Sequence, residues 1–396
     1  MREKEECFLK LRDLLRPKGR GCTVQTGPGR LVHPFEGWMG YAPLRPPEAG
    51  LYDAIRVAVP VVDAALEKIV RLTGGFRVEC TDKRHQVELE RFLRDVRVGP
   101  SSQGIRQFAG VYLDSLLTYG NAVGEVVLDS GGTEIFALYN ARLSDVRVRQ
   151  GKSPLEVVFC ASGDGLAFTP VKYPELILFT PLSPPAGELL GVSLLRSLPF
   201  VTGILMKIWG STGTNFERIA NLRYAVTYRP GAGALDKAYA QEIAAGIADQ
   251  WGDAMSAAKN GIIKDFVAVG DVDIKVIGAD NQMLDTQVPV RQMLEQIVAK
   301  LGIPPFMLGL HWSSTERMSA QQADILTSEL ESYRMLLDGV IRRICDLFLR
   351  LHGWGCGSRV VWDDINLQDE VETANARLLN AQAKKLEREM EGEAYD

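Results

Sequence analysis

Apolar side chains recur at alternating three- and four-residue steps through Ala323, Leu326, Leu330, Tyr333, Leu337, Val340, Ile344, Leu347 and Leu351. Such a run puts all its members on one face of a single α-helix. Over residues 319–352 that helix is about 50 Å long at 1.5 Å per residue. A small domain seldom covers so long a stripe, so the pattern calls for other long helices or other subunits to bury it. Leu336, Ile341 and Phe348 widen the stripe beyond a bare coiled-coil seam. Ser319 and Gln322 have capping-box spacing at its start, and Arg350, His352 and Gly353 suit its end through the macrodipole and a left-handed cap.

The rest of the chain mixes both periodicities and reads as α+β. Residues 16–50 are rich in Pro, Gly and Arg and read as an extended arm. Ile55, Val59, Val62, Leu66 and Ile69 mark a helix that Pro60 either kinks or begins. Between residues 76 and 180, alternating segments at 76–80, 122–128, 134–139, 145–149, 155–160 and 176–180 surround a helix over 105–118. Gly-rich turns link them, so one small, largely antiparallel sheet is expected. A helix is expected from Ser193 to Ala220, then strands at 224–228, 262–269 and 272–277 around a helix over 235–255. A further helix over 290–301 stops at Gly302-Ile303-Pro304-Pro305, because proline cannot continue it. Residues 360–362 read as a short strand and 367–390 as an exposed helix.

Composition narrows the function classes. The chain of 396 residues is 46% hydrophobic and 24% charged, with a net charge of −5, which is no uniformly basic nucleic-acid surface. A conduit is a different case, since many phosphate contacts would hold DNA in place. Six scattered cysteines without a CxxC pair imply reduced thiols, and the first residues lack the apolar stretch of an export signal. The most apolar segment, 189–209, is broken by Arg196, Pro199 and Lys207, so no membrane-spanning helix is expected. No GxxxxGK[ST] or GxSxG motif occurs. Asp271, Asp273, Asp363 and Asp364 lack a third ligand at fixed spacing, and His352 with Cys356 lacks the other pair a zinc site needs. No metal or cofactor is expected.

Three segments carry a family resemblance. They are Leu117-Thr118-Tyr119-Gly120-Asn121-Ala122-Val123-Gly124-Glu125-Val126, then Gly191-Val192-Ser193-Leu194-Leu195, then residues 299–309, Ala-Lys-Leu-Gly-Ile-Pro-Pro-Phe-Met-Leu-Gly. In this order, and followed by a polar stretch and a long helix, the chain resembles the portal proteins of tailed bacteriophages and prophages. Leu194 stands where that family usually has proline. The resemblance implies an arm over 1–50, an α/β wing over 51–190 and a first stem helix over 191–220. It further implies a clip over 221–280, a second stem helix over 281–302, a tunnel loop over 303–318, a long wing or tunnel helix over 319–353 and a crown-like tail over 354–396. It implies a homo-oligomeric ring, typically of twelve subunits, at one capsid vertex of the virion, assembled in the host cytoplasm. Its partners would be double-stranded DNA in the channel, the terminase large subunit, a head-tail adaptor, and capsid and scaffold proteins. No catalytic residue is implied.

Within that frame the DNA-facing candidates are His311, Trp312, Ser313, Ser314, Thr315, Glu316 and Arg317, of which all but Trp312 are polar and short or of mixed charge, which suits weak, transient phosphate contact. The alternative is an ordinary surface loop leading into a capped helix, since Ser313 and Glu316 also have capping-box spacing. Arg218, Arg223, Lys259 and Lys264 are candidates for the lower channel or clip, or simply for a solvated face. Leu326, Leu330, Tyr333, Leu337, Val340, Ile344 and Leu347 are the candidates for subunit association or core. Two rival functions stay open. A cytosolic hydrolase would need a deep pocket with perturbed acids in the 76–180 sheet. A coiled-coil scaffold without a channel would lose association on Leu337→Asp.

Overall fold

A computed structural model describes residues 42–151, 156–162, 168–220, 223–229, 238–259, 271–277, 285–310 and 316–365, with 233 and 382 singly. The chain divides into two units, residues 1–202 with 294–396, and residues 203–293.

In the first unit, strand β1 (Ala42–Pro43) leads to helices α1 (Ala49–Ala58) and α2 (Pro60–Leu72). Pro60 therefore begins a helix and does not kink one. Val59 is extended between the two, and a proline at the first helical position loses no hydrogen bond. Strand β2 (Phe76–Cys80) alternates buried and exposed positions, as its sequence requires. Helix α3 (Gln86–Asp95), absent from the expectations above, buries only Leu89 fully. Helix α4 (Ile105–Tyr119) ends on Gly120 in the left-handed conformation and turns straight into β3 (Asn121–Leu128).

The strands that follow are β4 (Ile135–Asn140), β5 (Val146–Gln150), β6 (Val157–Ser162), β7 (Phe168–Pro170) and β8 (Ile177–Pro181). They form two antiparallel sheets where one was expected, ordered β4-β3-β8 and β1-β5-β6-β7. The reason lies in β3, which both β4 and β8 flank and which is buried almost throughout. Its Gly124 lies against the Phe108 and Tyr112 rings of α4. Val123, the next residue along and so on the opposite face, joins Leu44, Val146, Val148 and Ile177 in the core toward the second sheet. A strand covered on both faces belongs in the middle of a layered structure.

The long helix, α8 (Glu316–Leu351), spans about 54 Å by its 36 residues. It starts three residues before the expected Ser319. At its end Gly353 N donates to Arg350 O and Trp354 N to Leu349 O, the paired bonds of a Schellman motif. Its stripe is consumed within the chain: Leu326, Leu330, Tyr333, Leu337, Val340 and Ile344 are all buried, and Leu347 is half-buried. Helices α3 and α4 and strand β11 (Ser358–Trp362) pack on this helix. Each such leucine stabilises the fold by about 1.5–3 kcal/mol. β11 pairs antiparallel with β2, Ser358 opposite Cys80 and Trp362 opposite Phe76. That pairing joins segments no local pattern could connect.

The 203–293 unit contains helix α6 (Ala240–Lys259) and a two-stranded antiparallel sheet of β9 (Arg223–Arg229) and β10 (Asp271–Ile277), paired over seven residues. The strand expected at 262–269 lies outside the described residues, as does the helix expected at 367–390 apart from residue 382. Helix α5 (Leu198–Ala220) begins five residues later than expected, with Pro199 in its first turn. Helix α7 (Gln287–Leu301) begins where the Asp285 carboxylate accepts from Gln287 N at 2.9 Å, an Asx turn leading into its first residue. Among the described residues no helix is long and apolar enough to cross a membrane.

Candidate functional site

Two of the three segments singled out in the sequence interlock. Gly120 carries a φ of 78°, and its carbonyl accepts from Leu182 N at 2.8 Å, while Val192 N donates to Leu182 O at 2.8 Å. The Asn121 carboxamide oxygen accepts from Gly191 N at 2.9 Å. Ser193 Oγ donates to Thr118 O at 2.6 Å and accepts from Leu195 N at 2.9 Å. Leu194 N, at the position where the resembled proteins usually have proline and so no donor, bonds Leu117 O at 3.1 Å. Asn121 and Ser193 are buried, so each of these bonds satisfies a polar group removed from water. The clasp fixes the entry into α5, and it explains why that helix starts at Leu198: Ser193 is already tied back onto α4.

A second set of bonds ties α1 to α4. Arg56 Nε reaches Asp63 at 2.7 Å, and Nη1 reaches Asp114 at 2.9 Å and Thr118 Oγ1 at 2.7 Å. Tyr119 donates to Asp53 at 2.6 Å, and burial followed by that carboxylate pushes its phenol up to about 12. Arg56 does not stand out in the sequence, and Asn121 and Ser193 do so only as members of two separate short segments; their partners lie in other elements, which periodicity does not reveal.

The third segment forms a tight exit from α7. Gly302 N bonds Val298 O, Ile303 is buried, and residues Pro305–Leu308 make a 3-10 turn closed by Gly309 N on Phe306 O and Leu310 N on Pro305 O. The turn packs against α2. It delivers the chain to His311, Trp312, Ser313, Ser314 and Thr315, which lie outside the described residues. Glu316 is the first residue of α8 and Arg317 is exposed beside it. Of the basic candidates, Arg218 is in the last turn of α5, Arg223 pairs with Ile277 in the β9–β10 sheet and Lys259 closes α6, while Lys264 is outside the described residues.

The other candidates have local partners. Asp273 faces Lys275 and Arg229 at 3.7 and 4.0 Å. His352 Nδ1 lies 2.9 Å from Phe348 O, and its ring packs on Phe348 and Trp354. Among the described residues no three His, Cys, Asp or Glu side chains are grouped to hold a metal. A cavity of about 740 Å³ beside β3 is lined by Glu125, Asp129, Lys172, Tyr173, Glu175 and Leu347. The backbone N–H groups of Glu134 and Thr133 hold the Asp129 carboxyl below the usual range, an arrangement that closes the turn before β4.

Against solved structures, the chain is similar to one in the neck of the native GTA particle computed with C12 symmetry, with a TM-score of 0.59 at 15% identity, covering 85% of this chain and 89% of the other. It is similar to a chain of the virion of the native gene transfer agent particle, with a TM-score of 0.57 at 14% identity over 86% and 89%. A weaker likeness, TM-score 0.43 at 11% identity over 78% and 95%, is to an HK97-family phage portal protein from Corynebacterium diphtheriae, and it adds nothing to the fold assignment. No protein-family model and no curated protein matches the chain. The α+β architecture built around the clasped α4–β3 turn and the long helix α8 is thus the fold of a chain in the gene transfer agent particle.

Proposed function

We propose that this chain is the portal-type subunit of a phage or phage-like particle, a structural protein that forms a ring at one capsid vertex and passes double-stranded DNA. The carrying observation is the shared fold over 85% of the chain with a component of a C12-symmetric particle neck. The clasp between residues 117–126 and 191–195 adds weight, because two of the segments that resemble portal proteins meet in one place. On this reading α5 and α7 are the stem, the 221–280 insertion docks the terminase large subunit during packaging and a head-tail adaptor afterwards, and residues 311–317 face the DNA. The net charge of −5 suits a bore that lets DNA slide, with contact confined to a few loop positions. The ring would have twelve subunits, contacting capsid and scaffold proteins, and the subunit would need no cofactor.

Mass photometry and negative-stain microscopy of the full chain at rising protein concentration test the reading. Closed rings with an axial channel and about twelve-fold symmetry are expected. A species no larger than a dimer at every concentration and salt tried would overturn it.

A further inference from the structure

Cys80 ends β2 and Cys356 lies two residues before β11, and their sulfur atoms are 3.2 Å apart although 276 residues separate them. The backbone on both sides is pinned. Ser358 is the register partner of Cys80, and Gly357 O accepts from both Thr81 N and Thr81 Oγ1 at 3.0 Å. A disulfide requires the sulfurs to approach by about 1.2 Å more, a distance that side-chain rotation can supply. Both thiols are free.

The two sulfurs differ in access. Cys80 is 6% exposed, and burial, then its hydrogen bond to Cys356, push its thiol up. Cys356 is half-buried between exposed Gly355 and Gly357, with the Arg84 guanidinium within electrostatic reach. Thiol–disulfide exchange starts at the accessible sulfur and is completed by a neighbour that no second reagent needs to reach. Cys160 and Cys345, by contrast, are wholly buried.

We infer that Cys356 and Cys80 form a thiol–disulfide exchange site, with Cys356 the attacking and Cys80 the resolving thiol, and a small disulfide of the glutathione class the oxidant. The Cys356 thiolate attacks one sulfur of oxidised glutathione, forming a mixed disulfide and expelling one glutathione thiolate, which takes up the proton Cys356 released. Cys80 then loses its proton and attacks the Cys356 sulfur, forming the 80–356 bond and expelling the second glutathione as a thiol. Two protein thiols are oxidised and one glutathione disulfide is reduced to two thiols. The bond would tie β2 covalently to the segment that follows α8 and constrain the unfolded chain across a very long loop.

The test uses the full chain equilibrated in reduced and oxidised glutathione at several ratios, alkylated, digested with trypsin and analysed by mass spectrometry. Cysteine 80 falls in the tryptic peptide 78–83 and cysteine 356 in 351–359, apart from those holding Cys7 and Cys22. The expected product at the oxidised end is the 78–83 peptide joined to 351–359, with a raised melting temperature. Cys80→Ser should instead accumulate glutathione on Cys356, while Cys356→Ser should leave Cys80 unmodified; circular dichroism checks that each variant folds. A wild-type chain that stops at the glutathione adduct, or that keeps both thiols free at every ratio, overturns the inference whatever the variants do.

Discussion

The carbonyl oxygen of Gly120 lies 2.1 Å from where a β-carbon on Gly191 would stand, so the two backbones meet with no room for a side chain between them. Gly120 is constrained twice over: its φ is 78°, and a β-carbon there would come within 2.5 Å of Ser193 N. Gly191→Ala and Gly120→Ala should each destabilise the protein by roughly 3 kcal/mol, because backbone cannot yield as a flexible side chain would. Gly203→Ala, in α5 with open space around it, should be neutral or stabilising by up to about 1 kcal/mol. Urea midpoints of the three variants measure the contrast.

Arg56 is the only side chain bonded to Asp63, Asp114 and Thr118 together among the bonds described above. Arg56→Met keeps much of the volume but strands two carboxylates and the buried Thr118 hydroxyl. Both carboxylates are partly solvated, so a loss of about 1–2 kcal/mol is expected. A double-mutant cycle with Asp114→Asn should return a coupling energy clearly above zero.

Alkaline pH should weaken the fold through Tyr119 and Tyr333. Burial first, then Asp53 for Tyr119 and Glu329 for Tyr333, pushes both phenols up to about 12 from the ordinary 10.0. The folded chain therefore holds protons that the unfolded chain has released. Their stabilisation is whole below pH 10 and is lost as pH rises toward 12. Melting temperature followed against pH should fall over that window, and the fall should be shallower in Tyr119→Phe and Tyr333→Phe.

Leu330→Ala should cost about 2–5 kcal/mol, since that side chain has no exposed surface and leaves a cavity. Met335→Ala, on a side chain 72% exposed, should change stability by less than about 0.5 kcal/mol. Leu337→Asp is expected to unfold the protomer and not merely separate subunits, because Leu337 is 3% exposed within one chain. Circular dichroism distinguishes unfolding from dissociation.

Local pattern revealed what depends on neighbours in sequence. The spacing from Ala323 to Leu351 located α8, Pro60 located a helix boundary, and Gly302 to Pro305 located the end of α7. Pairings across the chain stayed hidden. Nothing in the alternation of residues 76–80 points to residues 358–362 as their partner, and nothing in the strands of 121–181 says that β3 is central and divides them into two sheets. The interlocking of Gly120, Asn121, Gly191 and Ser193 was legible only as two separate short segments; that they touch is a tertiary fact. Most of the DNA-facing candidates, 311–315, lie outside the described residues, so the sequence remains the source of that reading.

The pairing of β2 with β11 also sets a timetable. A ribosome adding about 5–20 residues per second needs on the order of 15–55 s to travel from one strand to the other. For that interval β2 leaves the exit tunnel with a bare edge and no α8 to cover α3 and α4. β2 stays unpaired until β11 has been made, and a nascent chain with unpaired strand and uncovered apolar helix faces is what holding chaperones bind. Synthesis slowed by rare codons in the intervening 203–293 stretch would lengthen that exposure without altering a single contact of the finished protein.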